Sequence, residues 1–482
     1  MAFESGGLFD FGSDERPTAV VVAVQLPGTT DAELGSSMEE LERLARTLGL
    51  DPIARVIQRR AKLAPGVVLG EGKLAELARW TGGSGVVEAY SKPGAKSGDD
   101  EVELDVPGSE PDDTEPEYAD SVAAEPPAEG NVRAVLVDHD LSPTQQRNLE
   151  KATGVDVLDR TSVILEIFHR HAKTREARLQ VEIARLKYLA PRLREGGGGG
   201  DRVRGGVGGK GAGESSLELD RRRIRDRIAE LRGELGQIVG GSKTRRARRH
   251  DLPTVALVGY TNAGKSSLMR ALTSTDVYIA DKLFATLDTT VRRLQPLTEP
   301  PILVTDTVGF IKKLPHDLVA SFRSTLDEAS EADLLLHVID ASDAAHADQL
   351  QVTREVLNEV FDKTGTDAMN SWLILNKIDR VDEEGRAALL DKYPDAIQLS
   401  AKSRDDVAML RERLIAQFAG ALEETDLVVP WVAQRVVHQI HERTTVLSET
   451  HDDAGTLLRV RAPSRVLEDL RAELAGAKSA DL

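Results

Sequence analysis

The sequence predicts an α/β protein. Its centre is a doubly wound, mostly parallel sheet of the P-loop type, preceded by an N-terminal α/β subdomain with an antiparallel helical hairpin and followed by a small C-terminal α+β domain. Three observations predict this. The β-branched run TVALVG at 254–259 leads through a glycine loop into the helical string SLMRALT, the strand–loop–helix order that begins a doubly wound sheet. Between residues 18 and 90, and again from 131 to 159, strand-like apolar runs alternate with runs of helical spacing. From 161 to 250 the helical spacing is broken by a single glycine-rich stretch.

A chain of 482 residues is too long for one core, so three or four domains are expected. It has no cysteine and no apolar run of the roughly 18 residues a membrane span needs. Its acidic start MAFESGGLFDFGSDE lacks the basic flank and apolar centre of a signal peptide. A soluble cytoplasmic protein is expected, with residues 1–17 disordered.

The N-terminal subdomain is read over 18–160. TAVVVAVQL and IARVIQ are strand-like, whereas MEELERLARTLG and GKLAELARW are helical. RAVLVDHD resumes the alternation, SPTQQRNLEKATG starts a helix at the capping Ser142 with Pro143 in its first turn, and VDVLD closes it. In between, residues 97 to 132 hold thirteen Asp/Glu and no Lys/Arg. Residues 97–130 read as a disordered acidic insertion, and they account for most of the net charge of −18. The string Gly70-Glu71-Gly72-Lys73 is too short for a phosphate loop and reads as a helix start.

Charge reverses over 170–250, with twenty-two Lys/Arg against ten Asp/Glu. The hairpin, 161–250, consists of a long helical stretch to about Arg194, a glycine-dominated loop at about 195–213, and a second helix from about Glu214. There Leu217, Ile224, Ile228, Leu231, Leu235 and Ile238 form an a/d seam. The tip carries Arg192, Arg194, Arg202, Arg204 and Lys210. Such a cationic loop suits folded RNA, although charges of this kind also serve simply as solvated helix faces. The run KTRRARR at Lys243–Arg249 is either a phosphate contact or a charged linker.

Chemistry concentrates in 251–422. The loop Gly259-Tyr260-Thr261-Asn262-Ala263-Gly264-Lys265-Ser266 follows a strand and opens a helix, so its N–H groups can face phosphates. Lys265 is expected at the β/γ-phosphates, and the Ser266 hydroxyl on Mg²⁺. The strand PILVTD delivers Asp306-Thr307-Val308-Gly309 at its carboxyl end, where ligands of such sheets bind. Asp306 is expected to hold Mg²⁺ through water, and the Gly309 N–H to sense the γ-phosphate. Phe284-Ala285-Thr286-Leu287-Asp288 is the candidate first switch, with Thr286 closing on Mg²⁺ and γ-phosphate, and Thr289 and Thr290 as rivals. The catalytic candidates are Lys265, Thr286 and Gly309.

Base choice follows from Asn376-Lys377-Ile378-Asp379 at the end of SWLILN. The Asp379 carboxylate can accept from guanine N1–H and its exocyclic amine, whereas adenine has no N1 donor, so GTP is favoured over ATP. Ser400-Ala401-Lys402 can complete recognition of guanine O6. The residue after DTVG is Phe310, where Ras-like enzymes place a water-positioning glutamine. Intrinsic hydrolysis is therefore expected to be slow, with the missing function supplied by a partner, by another residue of this chain, or by a second cation. Asn262 is a candidate K⁺ ligand, or alternatively only shapes the loop.

These motifs, together with LSPTQQRNLEKATG, VLDRTSVILEIFHRHAKTREARLQVEIARLKYLAPRL, GAGESSLELDRRRIRDRI and DTVGFIKKLPHDLVASFRSTLDE, resemble the HflX family of ribosome-associated GTPases in the Obg–HflX group. The resemblance spans about 18–90 and 131–462. It implies a cytoplasmic GTPase that binds the large ribosomal subunit and acts in stress, rescue by subunit splitting, or ribosome biogenesis, with the glycine-rich tip approaching ribosomal RNA. GAGESS stands where the family usually has a GPGET-like string, which puts the local RNA contacts at issue. The alternatives are an ATP-driven RNA remodeller using the N-terminal region, and a signalling GTPase with a protein effector. A monomer is expected.

The C-terminal region, 425–482, reads as a helix (WVAQRVVHQIHERT), a hairpin turning at Asp452–Gly455, and a helix from Ser464. His438, His441 and His451 have no cysteine or acidic cluster beside them and read as surface residues.

Overall fold

The apolar run TAVVVAVQ has no polar face, and it becomes the enclosed strand β1, Thr18–Gln25, as expected of a parallel strand covered on both sides. The structure, a computed structural model, describes residues 16–63, 66–87, 132–193, 216–247, 252–274, 284, 290–298, 301–307, 309–312, 329–364, 370–420, 422–453 and 455–479. The acidic insertion, the first fifteen residues and the hairpin tip lie outside them. The chain falls into two compact units, Met1–Ile167 and Phe168–Leu482.

In the first unit β1 pairs in parallel with β2 (Asp51–Arg59) on one side and β3 (Val132–Val137) on the other, and β3 pairs with β4 (Asp156–Asp159). Helix α1 (Asp31–Leu48) begins with a capping box between Thr30 and Glu33 and ends at Gly49 in the left-handed region. Gly70 is the residue before α2 (Glu71–Thr81). Ser142 and Gln145 form the capping box of α3 (Pro143–Thr153), with proline in its first turn. Helix α4 (Arg160–His171) opens with a fully buried arginine. Arg160 donates to Asp138 at 2.6 Å and to Glu40 at 2.7 Å, so one buried cation bridges two buried carboxylates.

In the second unit the helical stretch divides. Thr174 caps a new helix, α5 (Arg175–Leu189), which a continuous reading of the sequence misses. Its partner is α6 (Ser216–Ala247). Arg175 pairs with Glu234 and, seven residues on, Glu182 pairs with Arg227, seven residues back; the two helices are antiparallel. Leu179, Ile183 and Leu186 pack on Ile224 and Leu231, with Ile228, Leu235 and Ile238 at the margin. The Arg192 guanidinium stacks 3.5 Å from the Tyr188 ring centroid.

The central sheet has the order β10-β9-β8-β5-β7-β6. Its strands are β5 (Thr254–Gly259), β6 (Thr290–Arg293), β7 (Leu303–Asp306), β8 (Leu334–Asp340), β9 (Ser371–Asn376) and β10 (Ile397–Gln398). Only β6 is antiparallel among these pairings. Helices α7 (Lys265–Thr273), α8 (His346–Thr364), α9 (Glu383–Lys392) and α10 (Arg404–Ala419) accompany it. Leu268, Leu272, Leu410 and Leu414 bury one face of the sheet.

The C-terminal sheet, of β11 (Leu422–Pro430), β12 (Thr445–Asp452) and β13 (Gly455–Pro463), has the order β11-β13-β12 and is antiparallel throughout. Helices α11 (Arg435–Arg443) and α12 (Ser464–Ser479) cover it. Strand β11 is an element the sequence conceals: LEETD hides the alternation, which emerges only where Leu427 and Val429 turn inward. His438 is exposed beside Glu442, and His441 faces Glu449.

Candidate functional site

Four of the five predicted motifs converge at the carboxyl ends of β5, β7, β9 and β10. Strand β5 ends at Gly259, whose φ of 147° and a Val338 oxygen 2.1 Å from where a Cβ would stand admit no side chain. The chain then loops through Tyr260, Thr261, Asn262 (φ 61°), Ala263 and Gly264 into α7. The Lys265 ammonium donates to the carbonyls of Gly259 (3.0 Å) and Tyr260 (2.8 Å). An ammonium has three donors, so one remains for a phosphate. Burial pulls its pKa down to about 8, partly opposed by the Asp306 carboxylate.

Ser266 Oγ donates to Asp306 Oδ2 at 2.7 Å, bringing a hydroxyl and a buried carboxylate together at the helix start. Among the described residues no group of three or more His, Cys, Asp or Glu side chains forms a metal cage. A hydroxyl and one carboxylate fit Mg²⁺, a hard ion that keeps much of its water. The Thr307 hydroxyl donates to Leu257 O at 2.7 Å and so anchors the turn after β7. Val308 lies outside the described residues, as do Ala285, Thr286, Leu287 and Asp288.

Phe284, the first residue of the candidate switch, is described and buried. It takes φ 57°, uncommon for a bulky residue, and its ring meets Phe168 edge-on, with centroids 4.6 Å apart at 80°.

Gly309 lies hard against the loop: a Cβ there would come within 2.9 Å of Thr261 Cγ2 and 3.1 Å of Lys265 Nζ. Phe310, noted in the sequence only for what it cannot do, is buried and bridges Tyr260. Its carbonyl accepts from Thr261 N at 2.7 Å, and its N–H donates to Gly259 O at 3.2 Å. The Tyr260 hydroxyl accepts from Lys312 N at 2.6 Å. Sequence reasoning missed this fastening; a tyrosine at the second position of the loop, followed downstream by an apolar GFI, is the only trace of it.

The base motif is braced onto the loop. Buried Asn376 donates to Ala263 O at 2.8 Å and accepts from Ala401 N at 3.0 Å. Lys377 donates to Asn262 O at 2.7 Å and pairs with Asp340 at 2.6 Å. Gly264 is close behind: a Cβ there would stand 2.2 Å from Asn376 Nδ2. Ile378 is buried and its N–H donates to Leu399 O. Asp379 stays exposed and accepts from Ser400 Oγ at 2.6 Å, which holds its carboxyl below the usual range. Lys402 N donates to the same hydroxyl at 3.3 Å. Asp379, Ser400, Ala401 and Lys402 thus form one cluster, with its acceptor charged.

The chain is similar in sequence to known proteins. Family models described as the N-terminal and middle regions of GTP-binding GTPases match residues 35–87 with 119–169, and 171–249. A third, described as a 50S ribosome-binding GTPase, matches 254–377. GTPase HflX of Gluconacetobacter diazotrophicus is 54% identical over 459 residues, covering 95% of this chain and 98% of that one. The Escherichia coli GTPase HflX is 34% identical over 455 residues, covering 93% and 94%. A GTP-binding protein of Sulfolobus solfataricus, solved with GDP, is 22% identical over 83% of this chain and 99% of its own, with a TM-score of 0.41. By its relatives and its nucleotide-binding domain alike, the chain belongs to the HflX family of GTPases, enzymes that hydrolyse GTP.

Proposed function

We propose that this GTPase works on the large ribosomal subunit, in ribosome rescue, splitting or assembly, and that the subunit supplies the hydrolytic competence its own second switch lacks. The observation that carries the reading is Phe310. A buried apolar ring, on a residue bridged to Tyr260 through the main chain, can neither orient water nor accept its proton. Two further observations support it. The family model over 254–377 is described as 50S ribosome-binding, and residues 170–250 carry twelve more basic than acidic residues, which suits a phosphate-rich partner.

In this reading the loop amides from Asn262 to Ser266 hold the phosphates and the third Lys265 donor meets the β/γ oxygens. Ser266 and Asp306 hold Mg²⁺, joined by Thr286 when the first switch closes. When bound, Mg²⁺ neutralises charge developing on the phosphoryl oxygens. The Gly309 N–H reads the γ-phosphate. Asp379 and the Ser400–Lys402 segment take guanine, while Asn262 is the candidate contact for K⁺. Action in the cytoplasm and under stress belongs to the same proposal.

The test is GTP turnover at fixed Mg²⁺ and K⁺, with and without purified large subunits. Stimulation by an order of magnitude or more is expected. Unchanged turnover without binding overturns the ribosomal reading. Binding that ignores salt, where counterion release would make it steeply salt-dependent, points instead to a protein effector.

A further inference from the structure

We propose that Asp340 is a positioning residue for nucleotide binding: it holds the Lys377 ammonium on the carbonyl of Asn262 and so fixes the phosphate loop before a nucleotide arrives. The inference rests on reading Asn262–Ser266 as the phosphate loop and Asn376–Asp379 as the base motif, and it adds a residue that belongs to neither. Asp340 is the last residue of β8 and stands opposite Asn376 in the strand register. The N–H of Ala341 donates to Asn376 O at 2.9 Å. The end of β8 thus sets a carboxylate beside the residue that follows Asn376. Lys377 Nζ donates to Asp340 Oδ2 at 2.6 Å and to Asn262 O at 2.7 Å.

Both carboxylate oxygens are engaged. Asp340 Oδ1 accepts from Ser342 N at 3.0 Å and from Ser342 Oγ at 2.6 Å, so the group cannot turn away from Lys377 without losing those bonds. The paired side chains are only 14% and 17% exposed, which shields their attraction from water better than at a surface pair. Lys377 needs such an anchor. Its four-carbon stem carries rotamer freedom that disappears when the ammonium is fixed, and its backbone takes φ 62°. With Asp340 in place that ordering is completed on folding, and binding does not have to supply it. What the lysine holds is the carbonyl of Asn262, whose own φ is 61°, at the start of the loop amides that face the phosphates.

The experiment titrates labelled GDP and a labelled non-hydrolysable GTP analogue into the full chain as wild type, Asp340→Asn, Lys377→Met and the double variant, with dissociation rates from stopped flow. An asparagine can keep the oxygen that Ser342 uses while it turns an amide donor toward the ammonium. Asp340→Asn is expected to weaken both nucleotides by roughly three- to thirtyfold, the range that ordering one lysine side chain spans. The loss should appear as faster dissociation, with the ratio of the two nucleotides kept within about twofold. On the Lys377→Met background the same substitution should weaken binding by less than about twofold, because residues that act through one contact do not add. A loss confined to the GTP analogue overturns the proposal. So does a full loss that persists on the Lys377→Met background, which would give Asp340 a merely structural role in the Ser342 turn. If Lys377→Met binds weakly and Asp340→Asn binds as the wild type does, the proposal alone fails. If Lys377→Met also binds as the wild type does, the placement of the base motif fails with it.

Discussion

Asp379→Asn is the substitution that most directly examines base selection. In the structure Asp379 accepts from Ser400 Oγ at 2.6 Å, and an asparagine oxygen can keep that bond, so the cluster should survive. What changes is the edge offered to the base. A carboxylate accepts from both N1–H and the exocyclic amine of guanine; an amide accepts one and turns a donor toward the other. Losing one charge-assisted bond and weakening its neighbour amounts to about 2–3 kcal/mol, or roughly 30- to 150-fold in GTP affinity. Xanthine carries a carbonyl where guanine carries the amine, so the same amide suits it on both positions. Titration of labelled GDP against GTP and xanthosine triphosphate should show the first two weakened and the third strengthened. Because the Ser400 hydroxyl holds the Asp379 carboxyl below its usual range, wild-type base preference should be flat from mildly acidic to neutral pH. If Asp379→Asn binds GTP as the wild type does, with no gain for the xanthine nucleotide, the assignment of Asp379 to the base is wrong.

Three other outcomes follow from particular contacts. The Lys265 pKa is pulled down to about 8 and phosphate must raise it, so nucleotide affinity should be greatest below that value and decline as pH climbs through it, with proton uptake in calorimetry; a flat profile between about pH 7 and 9 would exclude this. Phe168→Leu removes the edge-on partner of Phe284, a pair worth about 0.5–1.5 kcal/mol, and should tighten a GTP analogue several-fold if that pairing opposes closure of the first switch, as read by equilibrium binding. Arg160→Met removes the charge partner of Asp138 and Glu40, leaving Asp138 its bond from Ser37 Oγ at 2.7 Å, and should lower stability by about 3–5 kcal/mol in urea unfolding; a loss below about 1 kcal/mol would mean that the ion pairs add little.

The motifs were legible because the proposed phosphate, metal and guanine contacts each ask for a side chain or a missing one. Gly259 is required by a Val338 oxygen 2.1 Å from its absent Cβ, and Ser266 and Asp306 meet at the start of α7 as the hard oxygen donors of the proposed Mg²⁺ site. The alternation of enclosed strands and helices was legible too, with Ser142 marking one helix start by its chemistry, whereas the first helix, read from Met38, in fact begins at Asp31 behind the cap Thr30. Strand β11 was not, because Glu423 and Glu424 sit exposed on a strand whose inward residues come only later. The braces of the site were the least legible part. Asn376 reaches the carbonyl of Ala263, Lys377 that of Asn262, and Thr261 that of Phe310. In each the acceptor is main chain, and a carbonyl leaves no mark on residue identity. Lys312 and Phe284, by contrast, meet side chains, the Tyr260 hydroxyl and the Phe168 ring. Of these braces only that from Thr261 N to Phe310 O joins main chain to main chain and can be altered solely by moving the backbone; the donors of Asn376 and Lys377, like the Tyr260 hydroxyl and the Phe284 ring, can each be removed by one substitution.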